Sequence, residues 1–132
     1  LPNKTWQYLT LDDVLAFYTA VIGEPRVRSM DSLESAVARP QTTVFGDDAY
    51  STLNLKAAAL MQSLAQNQAF IDGNTRIAWI CGKVFLQLHG TTMSASSPDV
   101  LALFAEQIAT GMTVQDLASW IGLHSSTLAK PD

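Results

Sequence analysis

Asn74-Thr75-Arg76-Ile77-Ala78-Trp79-Ile80-Cys81-Gly82-Lys83-Val84-Phe85-Leu86-Gln87-Leu88 is helical by length, yet apolar on nearly every side. A helix with no polar face has to be enclosed by others, which places this one at the centre of a bundle. The residues before it, Gln68-Ala69-Phe70-Ile71-Asp72-Gly73, break the helical period of the preceding segment, and Asp72-Gly73-Asn74 favour a turn. The segment from Tyr50 to Gln66 is itself helical. Leu53, Ala57, Leu60 and Leu64 share one face, and Ala57-Ala58-Ala59 has high helix propensity.

Outward from this pair, the same signals recur. Thr10 with Asp13 forms a capping box ahead of Leu11, Val14, Leu15, Tyr18 and Ile22, and Gly23 with Pro25 closes that helix. Asp31 and Glu34 form a second capping pair, opening a short helix through Leu33 and Val37 that ends near Arg39-Pro40. Residues 40–48 carry no helical period. Thr42 to Phe45 is β-prone and reads as an extended flap or hairpin, with an ordinary surface loop as the alternative. Ser97-Pro98 opens a helix through Leu101, Phe104 and Ile108 that stops at Gly111. Thr113 and Asp116 cap the last helix, through Val114, Leu117 and Ile121 to Gly122. The expectation is an all-α domain of about six helices with a small extended flap, one domain over 1–132 with its core at about 6–122.

Composition narrows the function. The chain has 132 residues, 48% hydrophobic and 15% charged, with a net charge of -4. It is too apolar for a disordered chain, and the acidic balance argues against direct nucleic acid binding. Its single cysteine, Cys81, excludes an internal disulfide framework and a multi-cysteine zinc site. No run of 18 apolar residues suggests a membrane span, and the lack of a targeting signal points to the cytoplasm. Residues 1–4 and 127–132 are left open between native and appended sequence. Trp6, Trp79 and Trp120 read as core or terminus-packing residues. His89 reads as a helix C-terminal cap and His124 as a surface residue. Arg26, Arg28 and Arg39 read as a solvated face, with a docking face as the alternative.

The chemistry concentrates in the turn before the central helix. Gly73 lets backbone N–H groups approach a ligand closely. The helix beginning at Asn74 offers free N–H groups and a dipole to an anion. Arg76 adds a fixed positive charge, and Asp72 is a hard oxygen ligand suited to Mg²⁺ between protein and phosphate. On local pattern alone a plain helix–helix turn is the commoner reading.

The stretch resembles the signature of the Fic/Doc superfamily, H-P-F-x-[D/E]-G-N-[K/G]-R, with Phe70, Asp72, Gly73, Asn74 and Arg76 matching. The flap at Pro40 to Gly46, the helix around Leu33 to Arg39 and the helix before the motif also resemble the Doc (death-on-curing) branch. The resemblance implies a helical bundle that binds ATP and Mg²⁺, with Asp72 on the metal and Gly73, Asn74, Thr75 and Arg76 at the phosphates. It implies a toxin of a toxin–antitoxin pair that phosphorylates elongation factor Tu and is neutralised by a Phd-like antitoxin. The Fic-type alternative is AMP transfer. Those enzymes usually carry a second Arg three positions after the first, where this chain has Trp79, and that difference favours the Doc-like activity. A third alternative is a degenerate, non-catalytic Doc protein serving as antitoxin-binding module or corepressor.

Two departures bear on activity. The family's general-base histidine falls at Gln68, and an amide cannot accept a proton near neutral pH. This implies impaired catalysis, with Gln68 either an inactivating change or the native residue. Thr75 stands where Doc usually has Lys, so one phosphate-directed charge is missing, and Ala69 replaces the motif proline.

Overall fold

The computed structural model describes residues 5–93 and 98–128. Among them are six α-helices: α1 Leu11–Val21, α2 Met30–Ala38, α3 Leu53–Gln66, α4 Asn74–Leu88, α5 Pro98–Ala109 and α6 Val114–Leu123. Two small antiparallel sheets accompany them. Strands β1 Thr43–Val44 and β2 Asp47–Asp48 form the flap, and β3 Thr91–Met93 pairs with β4 Ser125–Thr127. The fold is predominantly helical, as the sequence predicts.

Helix starts follow local capping chemistry, with two corrections. The Thr10 hydroxyl accepts from Asp13 N–H at 3.1 Å, and Thr10 N–H donates back to the Asp13 carboxylate at 2.9 Å, the expected capping box. For α2 the cap is Ser29, which accepts from Ser32 N–H at 3.1 Å; Asp31 sits in the first turn instead. Ser29 is already held extended because its N–H donates to Ala69 O at 3.1 Å, so the helix can start only after it. Helix α3 starts at Leu53, capped by Thr52, rather than at Tyr50. Thr113 caps α6 as expected, but that helix runs through Gly122 to Leu123. The predicted Ser97 cap of α5 lies outside the described residues.

Helices α3 and α4 form the central pair. Helix α3 also packs on α2 and α6, while α1 packs on α4 and α2, and α5 on α4 and α3. The sequence reading placed only α4 at the centre, yet α3 is just as enclosed: Lys56 to Met61 and Ser63 to Ala65 are buried. The three alanines give α3 small faces that neighbours can approach. At Gly82 of α4 a Cβ would run into the sulfur of the fully buried Met61. Gly82→Ala is therefore expected to destabilise the fold by about 1–3 kcal/mol through overpacking, despite the better helix propensity of alanine. Urea denaturation checks this; a stabilised variant would mean that Met61 repacks freely.

Both histidines cap helix ends. His89 Nδ1 lies 2.8 Å from Phe85 O and its Nε2 accepts from Gln7 N–H at 3.0 Å, which fixes the tautomer with the proton on Nδ1. His124 is a cap too, rather than a free surface residue, with Nδ1 2.9 Å from Trp120 O. Trp79 and Trp120 are buried and cluster with Phe104.

The flap is a hairpin with Phe45 (φ 52°) and Gly46 (φ 85°) at its turn, both left-handed, as a two-residue turn between twisted strands requires. Its base is held by Lys56, whose side chain is fully buried. The Lys56 ammonium lies 3.3 Å from the Asp48 carboxylate and donates to Pro40 O at 3.3 Å, with the rings of Trp6 and Tyr8 around it.

Candidate functional site

The turn between α3 and α4 is built from inside the fold outward. Phe70 is completely buried and stacks on the Tyr18 ring of α1, centroid to centroid 4.4 Å at 18°. The backbone around it is stitched to the connector between α1 and α2. Ile71 N–H donates to Arg26 O at 2.9 Å, and Arg28 and Ser29 N–H donate to Ala69 O at 2.7 and 3.1 Å, flanking a bridge between Val27 and Phe70.

Asn74 is the internal rivet of the turn. Its buried amide accepts from Phe70 N–H at 3.0 Å and donates to Phe70 O at 2.9 Å and to Gln68 Oε1 at 3.4 Å. The side chain is thus fully engaged within the loop, and what Asn74 can offer a ligand is its backbone N–H. The N–H groups of Asn74, Thr75 and Arg76 have no intrahelical acceptor and donate no other hydrogen bond among the described residues. Gly73 precedes them in the left-handed region, φ 76°, and a Cβ there would meet the Tyr18 hydroxyl at 3.2 Å and Ile22 at 3.4 Å. Both backbone and space therefore require glycine at this position.

Asp72 points to solvent but is oriented from two sides. The Tyr18 hydroxyl lies 3.0 Å from both Asp72 O and Oδ1, and the Arg26 guanidinium lies 3.4 Å from Oδ2. Burial, the hydrogen bond to Asp72 and that carboxylate's charge push the Tyr18 hydroxyl above its ordinary pKa, while Arg26 and Arg76 pull it down. The tyrosine therefore remains a hydrogen-bond donor, and both guanidiniums lie close enough to be felt there. Arg76 is exposed, with no side-chain hydrogen bond or ion pair among the described residues. Thr75 is half-buried beside it.

Gln68 sits at the mouth of the turn in the left-handed region, φ 53°, and is exposed. Its amide nitrogen donates to Ala65 O at 2.8 Å. Neither the cysteine nor either histidine stands in for it. Cys81 is buried in α4, and burial, aided by Asp13, pushes its thiol up to about 12. His89 and His124 are committed to helix ends.

The sequence reading missed Tyr18 and Arg26 as members of this site. Tyr18 showed only as part of an apolar helical face, and Arg26 only as a surface charge. Arg39, grouped with Arg26 as a surface charge, instead fastens α2 to α3, donating to the Tyr50 hydroxyl at 3.0 Å and to Gln62 Oε1 and Ser63 Oγ at 2.8 Å each. A cavity of about 390 Å³ lies elsewhere, between the N-terminal segment and α2, and includes no residue of the 68–76 turn.

The donor set bears on which metal the turn could take. Among the described residues no group of three or more His, Cys, Asp and Glu side chains could hold a metal ion. Asp72 alone is one hard ligand, with its side chain largely exposed. That fits an ion held jointly by one carboxylate, phosphate oxygens and water, the usual manner of Mg²⁺, and not a metal caged by protein alone. Among the described residues no helix is long and apolar enough to cross a membrane.

A match to known proteins covers the stretch that contains this turn. The profile of the Fic/DOC family matches residues 8–86, which include it. A curated relative, Toxin Doc of Mycolicibacterium smegmatis, is 51% identical over 90 residues, or 67% of this chain and 69% of the relative.

Proposed function

The chain belongs to the Fic/DOC family, in its Doc branch, and from that membership we propose that it is a Doc-type toxin whose 68–76 turn binds ATP with Mg²⁺ and transfers the γ-phosphate to a serine or threonine hydroxyl of elongation factor Tu. The observation that supports this most directly is the turn itself: three unpaired N–H groups at the start of α4, an exposed guanidinium at Arg76, and a carboxylate at Asp72 aimed by Tyr18. Unpaired amides and a guanidinium together favour a polyphosphate.

In this reading Phe70 and Asn74 hold the turn rigid, so the amides of residues 74–76 are in place before the nucleotide arrives. Gly73 keeps the approach open, and Arg76 neutralises charge on the transferred group. Tyr18 orients Asp72, which would hold Mg²⁺ together with the phosphates; the ion would draw negative charge from the phosphate oxygens. Little covalent chemistry is asked of the protein in phosphoryl transfer, so positioning and charge provide most of the rate. The missing part is proton acceptance from the attacking hydroxyl, because Gln68 can only hydrogen-bond. This chain is therefore an impaired form of the enzyme. Its partners are a Phd-like antitoxin and elongation factor Tu, and it acts in the cytoplasm.

One observation favours phosphate over AMP transfer. Trp79, where AMP-transferring relatives usually place a second Arg, is buried and packs on Phe104 and Trp120. No second motif cation can reach the phosphates from there. A non-catalytic role as antitoxin-binding module or corepressor is favoured only by Gln68 and Thr75. Calorimetric titration with ATP, with and without Mg²⁺, tests the reading: binding that strengthens with Mg²⁺ is expected, and no binding under either condition overturns it.

A further inference from the structure

We propose that Arg26, from the connector between α1 and α2, is a second phosphate-binding cation of the turn, held on Asp72 when the site is empty and turned to the polyphosphate when nucleotide and metal enter. The inference rests on the nucleotide-binding reading above and adds a residue outside the motif.

Three observations lead to it. First, Arg26 is fixed to the turn by backbone rather than merely lying near it. Its carbonyl accepts from Ile71 N–H at 2.9 Å, immediately before Asp72, and the neighbouring Val27–Phe70 bridge continues the stitching. The guanidinium therefore needs only side-chain rotation to change partners, with no loop to order. Second, its present contact is weak and singular. One nitrogen lies 3.4 Å from Asp72 Oδ2, and both side chains are 65% exposed. A pair this long and this open adds little stability, so an incoming polyphosphate can displace it. The guanidinium has five N–H donors in a planar fork, which suits bidentate phosphate contact better than one long carboxylate contact. Third, the local charge is short of a cation. Thr75 is neutral, Asp72 is negative, and Arg76 alone balances it. With Arg26 the turn carries two guanidiniums against one carboxylate, and the Tyr18 hydroxyl, bonded to that carboxylate, is acted on by both.

The exchange also resolves a conflict of partners. Asp72 Oδ1 faces Tyr18 and Oδ2 faces Arg26. A metal ion drawn in with the nucleotide needs one of these oxygens, and only the Arg26 contact can be given up without disturbing a buried group. Releasing Arg26 frees the carboxylate and supplies the phosphates with a cation in the same movement.

Calorimetry on the intact chain with MgATP tests the proposal, using the parent and four variants. Arg26→Ala should weaken MgATP binding about tenfold, roughly 1.4 kcal/mol, while Arg26→Lys, which keeps the charge but not the fork, should recover part of that loss. Arg28→Ala is the control. Arg28 is equally a surface arginine, two residues on, with no ion pair among the described residues, and its loss should change affinity less than twofold. Arg76→Ala should weaken binding at least as much as Arg26→Ala. Parent binding left unchanged by Arg26→Ala, or weakened equally by Arg28→Ala, overturns the role of Arg26 and leaves the nucleotide site standing. A parent that binds no MgATP overturns both. The Arg26 backbone contacts survive substitution, and thermal unfolding of each variant confirms an intact fold.

Discussion

Gln68→His is expected to raise phosphate transfer to elongation factor Tu by about 10²–10⁴-fold, the usual contribution of a general base. The present side chain is exposed at the mouth of the turn, its nitrogen donating to Ala65 O and its oxygen accepting from Asn74. Those contacts keep it in place without giving it a basic lone pair. Neither the cysteine nor a histidine replaces it: Cys81 is buried with its thiol pushed up to about 12, and both histidines are engaged at helix ends. The backbone should accept the change, since histidine is one of the residues enriched in the left-handed region that Gln68 occupies at φ 53°. Transfer of labelled γ-phosphate, with mass spectrometry of the modified factor, measures the gain and separates phosphate from AMP adducts. Expression of the His variant should arrest growth where the parent chain does not. Equal rates for the two proteins would remove the explanation based on Gln68.

What the sequence revealed of this fold depended on how local the deciding contact is. The α1 cap was legible because Thr10 and Asp13 are both in the sequence window that is being read. The apolar run of α4 was legible for the same reason. The start of α2 was not, because two capping patterns overlap there, and the choice of Ser29 over Asp31 is made by Ala69, forty residues downstream. The sheet of Thr91–Met93 with Ser125–Thr127 joins two short segments across two helices, and neither has a strand signal of its own. The candidate site divides along the same line. Asp72, Gly73 and Arg76 stand in one contiguous turn and could be picked out directly. Tyr18 and Arg26 reach that turn only through the packing of α1 and its connector. Asn74 was picked out as a residue at the phosphates; its amide faces inward, which leaves its backbone N–H for that part. The same amide that makes the motif recognisable shapes the loop that presents its neighbours' N–H groups.

Phe70→Ala is expected to be the most damaging single truncation in the turn, costing about 3–5 kcal/mol of stability. That is a large share of the roughly 5–15 kcal/mol that holds a typical domain, and it should lower the thermal midpoint by on the order of 10–20 °C. The ring is fully buried and stacked on Tyr18, so its removal leaves a cavity beneath the turn and deprives Tyr18 of the surface that sets its ring plane. The Tyr18 hydroxyl is what aims Asp72, and the Phe70 backbone is what Asn74 grips, so one cavity loosens the carboxylate and the amides together. Tyr18→Phe separates the two effects. It keeps the stack and removes only the hydroxyl, so its stability should fall by about 1 kcal/mol while Mg²⁺-dependent nucleotide binding weakens more than Mg²⁺-free binding does. Urea denaturation and calorimetry on both variants read these quantities. If Phe70→Ala cost less than about 1 kcal/mol, the turn would not be anchored through this ring, and the rigidity assigned to the amides of residues 74–76 would have to come from the Asn74 hydrogen bonds alone.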